Sequence, residues 1–326
     1  MTTRTALIFG VSGQDGALLA RFLADKGYRV HGTSRDAQVS GFANLDRVAV
    51  RDRVQVHSAA TNDFRSVAQV LSEVQPDETY LLAGQSSVGL SFGQPVETLE
   101  SIAVGTLNVL EAVRFLRLDT RLYHAGSSEC FGDVGTAADE QTAFRPRSPY
   151  AVAKASAHWM VANYREAYGL YACTGILFNH ESPLRPARFV TRKIVAAAVR
   201  IGAGSGERLQ LGDLAIERDW GWAPEYVDAM WRMLQRPAPE DYVIATGRVH
   251  ALHEFVAMAF ASVGLDWQEH VDFDPGLRRP SEIDHSVGDA SKAARDLGWT
   301  ASSSLQDVVA RMVAAEQGGP WPMVVG

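Results

Sequence analysis

Residues 5–16 read T-A-L-I-F-G-V-S-G-Q-D-G, and their reading decides the fold. Thr5 to Phe9 is a short apolar run suited to a buried strand. Gly10, Gly13 and Gly16 follow as G-x-x-G-x-x-G, with Gln14 and Asp15 between the last two, and an amphipathic stretch then runs to Asp25 and Gly27. Strand, glycine turn and helix in that order open a parallel α/β sheet. The glycines let the backbone turn tightly and approach a diphosphate, which then rests on the amides of the helix N-terminus. A glycine triplet alone is a weak signal; directly after a first strand it points to a bound dinucleotide.

Working outward, Tyr28 to Thr33 reads as a second strand, ending Gly32-Thr33-Ser34-Arg35. An acid at this point would hold the ribose hydroxyls of NAD, whereas Arg35 can meet a 2′-phosphate, so NADP is expected before NAD. Asp36 follows and has two readings, a salt bridge to Arg35 or a hold on ribose; Arg35 itself has the alternative of a solvated loop cation. Val54 to His57 is a third strand and Phe64 to Val74 a helix. Strand four ends in L-L-A-G-Q-S-S, with Leu81, Leu82 and Ala83 in the core and Gly84, Gln85 and Ser86 at the carboxyl edge, where such sheets bind ligands. Residues 95–117 read as one long helix burying Ile102, Leu107, Leu110 and Val113 on one face. Arg121 to Ala125 is strand five, Pro149 to Tyr168 a helix and Tyr171 to Leu177 strand six. This alternation predicts an α/β, Rossmann-type doubly wound parallel sheet.

Strand five delivers S-S-E-C-F-G from Ser127, and R-S-P-Y-A-V-A-K ends at Lys154. Ser148 suits an N-cap and Pro149 the first helical turn. Tyr150 and Lys154 are then four residues apart on one helical face. The expectation is that the ammonium pulls the phenol down toward neutrality, making it a usable general base. A hydroxyl of Ser127 or Ser128 can orient it, and Glu129 adds a carboxylate in the same turn. Tyr-x-x-x-Lys alone is a common surface pattern; the preceding strand and turn give it weight.

The 326 residues suffice for one large domain or two moderate ones, and 46% apolar content excludes a disordered chain. No apolar run reaches the roughly 18 residues of a membrane span, and the N-terminus runs straight into a strand, leaving no room for a signal peptide. A net charge of −7 argues against nonspecific nucleic-acid binding and leaves anionic small substrates to local cation clusters. Cys130 and Cys173 form neither a disulfide framework nor a metal spacing, and Cys130 reads as a small buried apolar residue. The expectation is a cytoplasmic protein with no metal, no nucleic-acid partner and no membrane.

Residues 1–178 are expected to form the dinucleotide-binding part with the catalytic residues. Residues 179–326 are expected to form a smaller, mostly helical substrate lobe, with some segments returning to the sheet. Helices are read at 191–202, 225–235, 252–263 and 304–315, too dispersed for a large core of their own, and the tail from Glu316 as loose. Arg185, Arg188, Arg192 and Lys193 in one loop, Arg218 in a second and Arg278 with Arg279 in a third suggest a clamp on an anion such as a diphosphate.

The glycine loop, the Ser127-Ser128-Glu129 turn and the Tyr150/Lys154 pair resemble the extended short-chain dehydrogenase/reductase group. The segments V-S-G-Q-D-G, R-P-R-S-P-Y-A-V-A-K, N-Y-R-E-A-Y-G, G-I-L-F-N-H-E-S-P, F-V-T-R-K-I, R-D-W-G and R-P-S-E-I narrow the resemblance to the GDP-mannose 4,6-dehydratase family, from about residue 5 to about 315. The resemblance implies a GDP-sugar substrate, NADP, and a homodimer or homotetramer. It implies that Tyr150 takes the O4 proton while the cofactor takes hydride from C4, that Glu129 removes the C5 proton as water leaves C6, and that hydride returns to C6. Ser127 stands where the family usually has Thr, and Lys154 holds Tyr150 and the nicotinamide ribose. The implied cofactor contacts are Gly10, Gly13, Gln14, Asp15, Gly16, Arg35, Leu82, Ala83, Gln85, Tyr150, Lys154, Leu177, Asn179, His180 and Arg185. The implied substrate contacts are Ser86, Ser128, Asn179, Val190, Lys193, Leu211, Gly212, Arg218, Arg279 and Glu282.

Leu184, Pro186, Ala187, Asp213, Trp222, Leu277, Ala60, Gly84 and Ser87 depart from the family pattern, as does the loop D-A-Q-V-S-G after Arg35. Trp222 has two readings, reshaping of the sugar pocket or plain packing. Two other functions stay open on the same residues. One is an NADPH-dependent 4-keto sugar-nucleotide reductase or epimerase, which would not need Glu129. The other is a nucleotide-binding regulatory protein without turnover. A dehydratase for another GDP-hexose or a GDP-heptose remains a variant of the first reading.

Overall fold

The computed structural model describes residues 3–319. Strands β1 (Thr5–Phe9), β2 (Arg29–Ser34), β3 (Val54–Ser58), β4 (Glu78–Leu81), β5 (Arg121–Ala125), β6 (Ala172–Leu177) and β7 (Tyr242–Ile244) form one sheet. Its order is β7-β6-β5-β4-β1-β2-β3, with every pairing parallel. The longer helices are α1 (Gln14–Asp25), α2 (Phe64–Val74), α3 (Gly105–Leu116), α4 (Pro149–Tyr168), α5 (Val190–Gly202), α6 (Ala223–Leu234), α7 (Leu252–Ala261), α8 (Ser291–Leu297) and α9 (Leu305–Glu316).

A parallel sheet must be covered on both faces, and the strand residues divide accordingly. Ala6 and Ile8 of β1 join the core with α1, α6 and α8, whereas Leu7 and Phe9 join that of α2, α3 and α4. The alternation is the period of two that a strand imposes.

Three features differ from expectation. First, β7 is only three residues long and is separated from strand six by 64 intervening residues, beyond reach of any local pattern. Tertiary contacts hold it there. Asp241, just before it, pairs with Arg165 of α4 at 2.8 Å and accepts the Thr174 amide of β6 at 2.6 Å. Second, the long helix is interrupted. Pro95–Leu99 runs into a π turn, Glu100–Val104, before α3. Ile102, Leu110 and Val113 are buried, but Leu107 is 38% exposed, at the rim of the face that Thr106, Val109, Leu110 and Val113 bury. Third, the C-terminal helices do share a core. Ile194, Val195 and Ala198 of α5 meet Phe255, Val256 and Phe260 of α7 and Val308, Val309 and Met312 of α9. Each helix carries its own apolar stripe, and distance in the chain is no bar to their packing. The tail read as loose lies outside the described residues from residue 320 on.

Candidate active site

The carboxyl ends of β1 to β4 open on a cavity of about 880 Å³, within the roughly 300–1,000 Å³ range of small-molecule sites. Of the residues read as cofactor contacts, Gly10, Gly13, Gln14, Asp15, Gly16, Arg35, Leu82, Ala83, Gln85 and Arg185 line it, and Ser86, read as a substrate contact, lines it too. The glycines matter for contact and not only flexibility. A Cβ on Gly10, at φ +88°, would lie 2.9 Å from Ala83 Cα, and one on Gly16 would lie 2.2 Å from the Gly10 carbonyl oxygen. Gly13 caps α1 without a side-chain partner, so the amides of the first turn keep their bonding capacity for a ligand anion.

At the far end of the cavity Arg35 is 85% exposed, with Glu97 at 3.7 Å. Asp36 does not pair with it: its Oδ1 accepts from the amides of Gln38 at 2.9 Å and Val39 at 3.2 Å. Gln85 braces its own loop, its Nε2 donating to the Ser87 carbonyl at 2.9 Å and Thr98 Oγ1 at 3.1 Å. Arg188, read from the sequence as part of an anion clamp, lines the cavity as well, and so do Ser12, Thr33, Ser34, Thr61, Asn62, Glu97, Glu100 and Phe189, which were not singled out from the sequence. The available signal was position for several of them: Thr33 and Ser34 end β2, Ser12, Thr61 and Asn62 closely follow β1 or β3, and Glu100 opens the π turn.

Gln14 and Asp15 face two ways. They line the cavity, yet Gln14 Nε2 donates to the His180 carbonyl at 3.1 Å, and Asp15 Oδ2 lies 3.0 Å from His180 Nε2. Burial would raise the Asp15 carboxyl, but the His180 imidazole and the Gln14 amide hold it at about 2. Leu177 is buried at the end of β6, and Asn179 starts a short strand, Asn179–Glu181, that pairs with Trp220–Trp222. Arg185 pairs with Glu181 at 3.3 Å and stacks on Phe189 at 3.9 Å.

Ser148 Oγ accepts the Ala151 amide at 3.0 Å and Pro149 opens α4, which sets Tyr150 and Lys154 on its buried side. The expected pull of Lys154 on the phenol is not what the geometry gives. The ammonium donates to the Ala125 carbonyl at 2.7 Å, and its nitrogen is 5.9 Å from the centre of the Tyr150 ring. Burial therefore dominates and raises the phenol pKa above its usual value, opposed by a hydrogen bond from Ser127. Burial likewise lowers the Lys154 ammonium to about 8 and pushes the Cys130 thiol up to about 12, consistent with an inert thiol.

Glu129 lies on a single 3₁₀ turn, Ser128–Cys130, with Ser128 buried beside it. Burial raises its carboxyl pKa, while Arg279 and Arg218 pull it down. Those two guanidiniums share one partner: Arg218 lies 3.0 Å and Arg279 3.2 Å from Glu282 Oε1. Glu129, Arg218, Arg279 and Glu282 thus form one electrostatic cluster. The wider clamp does not assemble as expected. Arg192 pairs with Glu316, Arg278 with Asp213 at 2.7 Å, and Lys193 donates to the Gln210 carbonyl at 2.7 Å. These groups are already held by acceptors of this chain. Val190 begins α5, Leu211 is buried at the end of a short strand, and a Cβ on Gly212 would lie 3.4 Å from the Leu277 carbonyl oxygen. Trp222 is 1% exposed within the α5–α7–α9 core, which favours its packing role. Among the described residues no group of three or more His, Cys, Asp or Glu is placed to hold a metal ion, and no helix is long and apolar enough to cross a membrane.

Sheet, glycine turn and Tyr150–Lys154 helix together define a protein of the short-chain dehydrogenase/reductase class. DesIV, a dTDP-glucose 4,6-dehydratase from Streptomyces venezuelae solved with NAD and TYD, superposes with a TM-score of 0.86 at 24% identity, over 98% of this chain and all (100%) of that one. RMD from Pseudomonas aeruginosa, complexed with NADPH, does so at 0.80 and 21% identity, over 97% and 100%. The GDP-mannose 4,6 dehydratase family matches residues 7–312. GDP-mannose 4,6 dehydratase 1 of Arabidopsis thaliana is 46% identical over 320 residues, 95% of this chain and 89% of the relative. The chain belongs to the GDP-mannose 4,6 dehydratase family and is an enzyme of that hydro-lyase kind.

Proposed function

We propose that this chain converts GDP-mannose to GDP-4-keto-6-deoxymannose and water by oxidation at C4, elimination across C5–C6 and reduction at C6. The observation that carries the reading is Glu129. It is a carboxylate of raised pKa on the same turn as Ser127, and Ser127 hydrogen-bonds Tyr150. A reductase or epimerase has no use for that carboxylate.

The cavity's size, the glycine approach at Gly10 and Gly16, the uncapped amides of α1 and the guanidiniums of Arg35 and Arg185 fit a nicotinamide dinucleotide. When bound, the cofactor accepts hydride from C4 and returns it to C6. Arg35 favours NADP, because an exposed guanidinium at the end of β2 suits a 2′-phosphate. Tyr150 moves the proton at O4. Its phenol stays protonated in the ligand-free chain, so deprotonation is tied to the assembled site and its Ser127 bond. Lys154 is held by the Ala125 carbonyl on the same face of α4. Glu129 takes the C5 proton and passes a proton to the departing C6 hydroxyl; its raised pKa suits both tasks. The O4 proton balances the one returned to C5. Arg218, Arg279 and Glu282 hold the GDP part.

Residues 1–178 then serve as the dinucleotide-binding part and 179–326 mainly as the sugar-nucleotide lobe, with β7 and α8 given back to the sheet layer. A homodimer or homotetramer is supported by exposed apolar residues, Val96, Leu99 and Leu107 on elements that pack against α4, and Val152 and Trp159 on α4 itself. A cytoplasmic setting is supported by two free buried thiols. Incubation with GDP-, UDP-, CDP- and dTDP-hexoses and GDP-heptoses, read by mass spectrometry, tests the reading. Loss of one water from GDP-mannose is expected. Net consumption of NADPH with a keto sugar would assign a reductase instead.

A further inference from the structure

Asp15 lies in the first turn of α1, inside the cavity opened by the glycine loop. A bare carboxylate there opposes a diphosphate seated on the same amides. The compensating charge comes from 165 residues away, where His180 Nε2 lies 3.0 Å from Asp15 Oδ2. The other ring nitrogen, Nδ1, lies 2.7 Å from the Phe178 carbonyl oxygen. A carbonyl only accepts, so Nδ1 carries a hydrogen. A neutral imidazole would then turn a lone pair on the carboxylate. Both contacts are satisfied only when the pair holds one extra proton.

The neighbours hold the ring in this pose. Gln14 Nε2 donates to the His180 carbonyl at 3.1 Å, and Ser182 Oγ donates to Gln14 Oε1 at 2.8 Å. Tyr226 of α6 stacks on the imidazole with centres 4.5 Å apart and planes at 21°. Around His180 the charged and titratable groups are Asp15 from α1, Arg185 from the following turn, the phenol of Tyr226, kept protonated by burial, and Glu181, which is turned to Thr191 and Arg185.

We infer that the Asp15–His180 pair is a proton-dependent positioning device: it retains the cofactor's diphosphate while His180 is protonated and weakens that hold when the proton leaves. The inference rests on the dinucleotide reading above. The electrostatics agree with the geometry. Burial opposes both charges, yet Asp15 is held at about 2 and His180 is raised above 6.5 by Asp15. A raised histidine contributes fully below its unfolded pKa and is lost as pH rises through its folded one. The depressed carboxylate loses its share only as pH falls toward about 2. The device is therefore lost as pH rises above 6.5, through the raised His180 value.

The test is NADPH binding to the full chain, followed by nicotinamide fluorescence between about pH 6 and about pH 9, with a melting curve on each sample to show that it is folded. Wild type should weaken about three- to tenfold across this range. Asp15→Asn, which leaves no carboxylate to uncover, should show a flat profile. His180→Asn should bind weakly and without pH dependence. Equal pH slopes in wild type and Asp15→Asn, or no slope in wild type, overturn the inference alone. No binding by wild type at any pH overturns the cofactor reading and the inference with it.

Discussion

Glu129→Gln removes a charge and a proton acceptor while keeping the shape of the side chain. General-base catalysis contributes about 10²- to 10⁴-fold, so turnover should fall by that factor, or about 3–5 kcal/mol of barrier. The effect on folding is argued from the site. Burial raises the Glu129 carboxyl, and Arg279 and Arg218 draw it down. Substitution relieves the first effect and forfeits the second, so the two oppose and the net change should stay within about 1 kcal/mol. The melting temperature should therefore shift by no more than about 4 °C for a chain of this size. The assay follows 4-keto-6-deoxy product by mass spectrometry, uptake of solvent deuterium at C5, and the near-ultraviolet absorbance of transiently reduced cofactor. Oxidation at C4 should survive, while exchange at C5 and water loss collapse together. Full product at the wild-type rate would refute the role of Glu129. So would a loss of activity matched by a large fall in melting temperature, since unfolding would then explain it.

Lys154→Met should abolish turnover yet raise the melting temperature at neutral pH. Burial lowers the ammonium from 10.5 to about 8, a cost that is full below about pH 8 and fades as pH rises toward 10.5. That cost is roughly 3 kcal/mol, of which the lost bond to the Ala125 carbonyl takes back about 1, so a gain of about 2 kcal/mol is expected by calorimetry; a fall would contradict it. Arg35→Ala should weaken NADP about ten- to hundredfold in titration while leaving NAD nearly unchanged; equal losses for both would mean that Arg35 does not read the 2′-phosphate. Leu107→Glu with Trp159→Glu should lower the mass seen by light scattering to that of one chain, and an unchanged mass would remove these apolar residues from the subunit contact.

Local patterns carried the N-terminal half of the fold. The boundaries of β1 and α2 agree with the sequence reading because an apolar run and an Asp63 cap act over a few residues. β7 was not legible, because three apolar residues after a proline-rich stretch become a strand only through Arg165–Asp241 and the free edge of β6. Leu107 misled because it sits at the rim of the helical face that Thr106, Val109, Leu110 and Val113 bury. At the site, the residue types were legible and their partners were not. Lys154 was matched with the phenol one turn away, whereas it bonds the end of β5. Arg192 and Arg278 read as members of an anion clamp, but each meets a carboxylate distant in the chain. The Asp15–His180 contact spans 165 residues and follows only from the folded chain.

Internal transfer of hydrogen is the claim from which the others descend, and one isotope experiment reaches it. GDP-mannose carrying deuterium at C4 is converted with catalytic cofactor, and the product is examined by mass spectrometry and NMR. The account predicts a dehydrated sugar with the deuterium at C6 and none left in the cofactor pool. Deuterium washed into free NADPH, or a product that keeps its C6 hydroxyl, would contradict it.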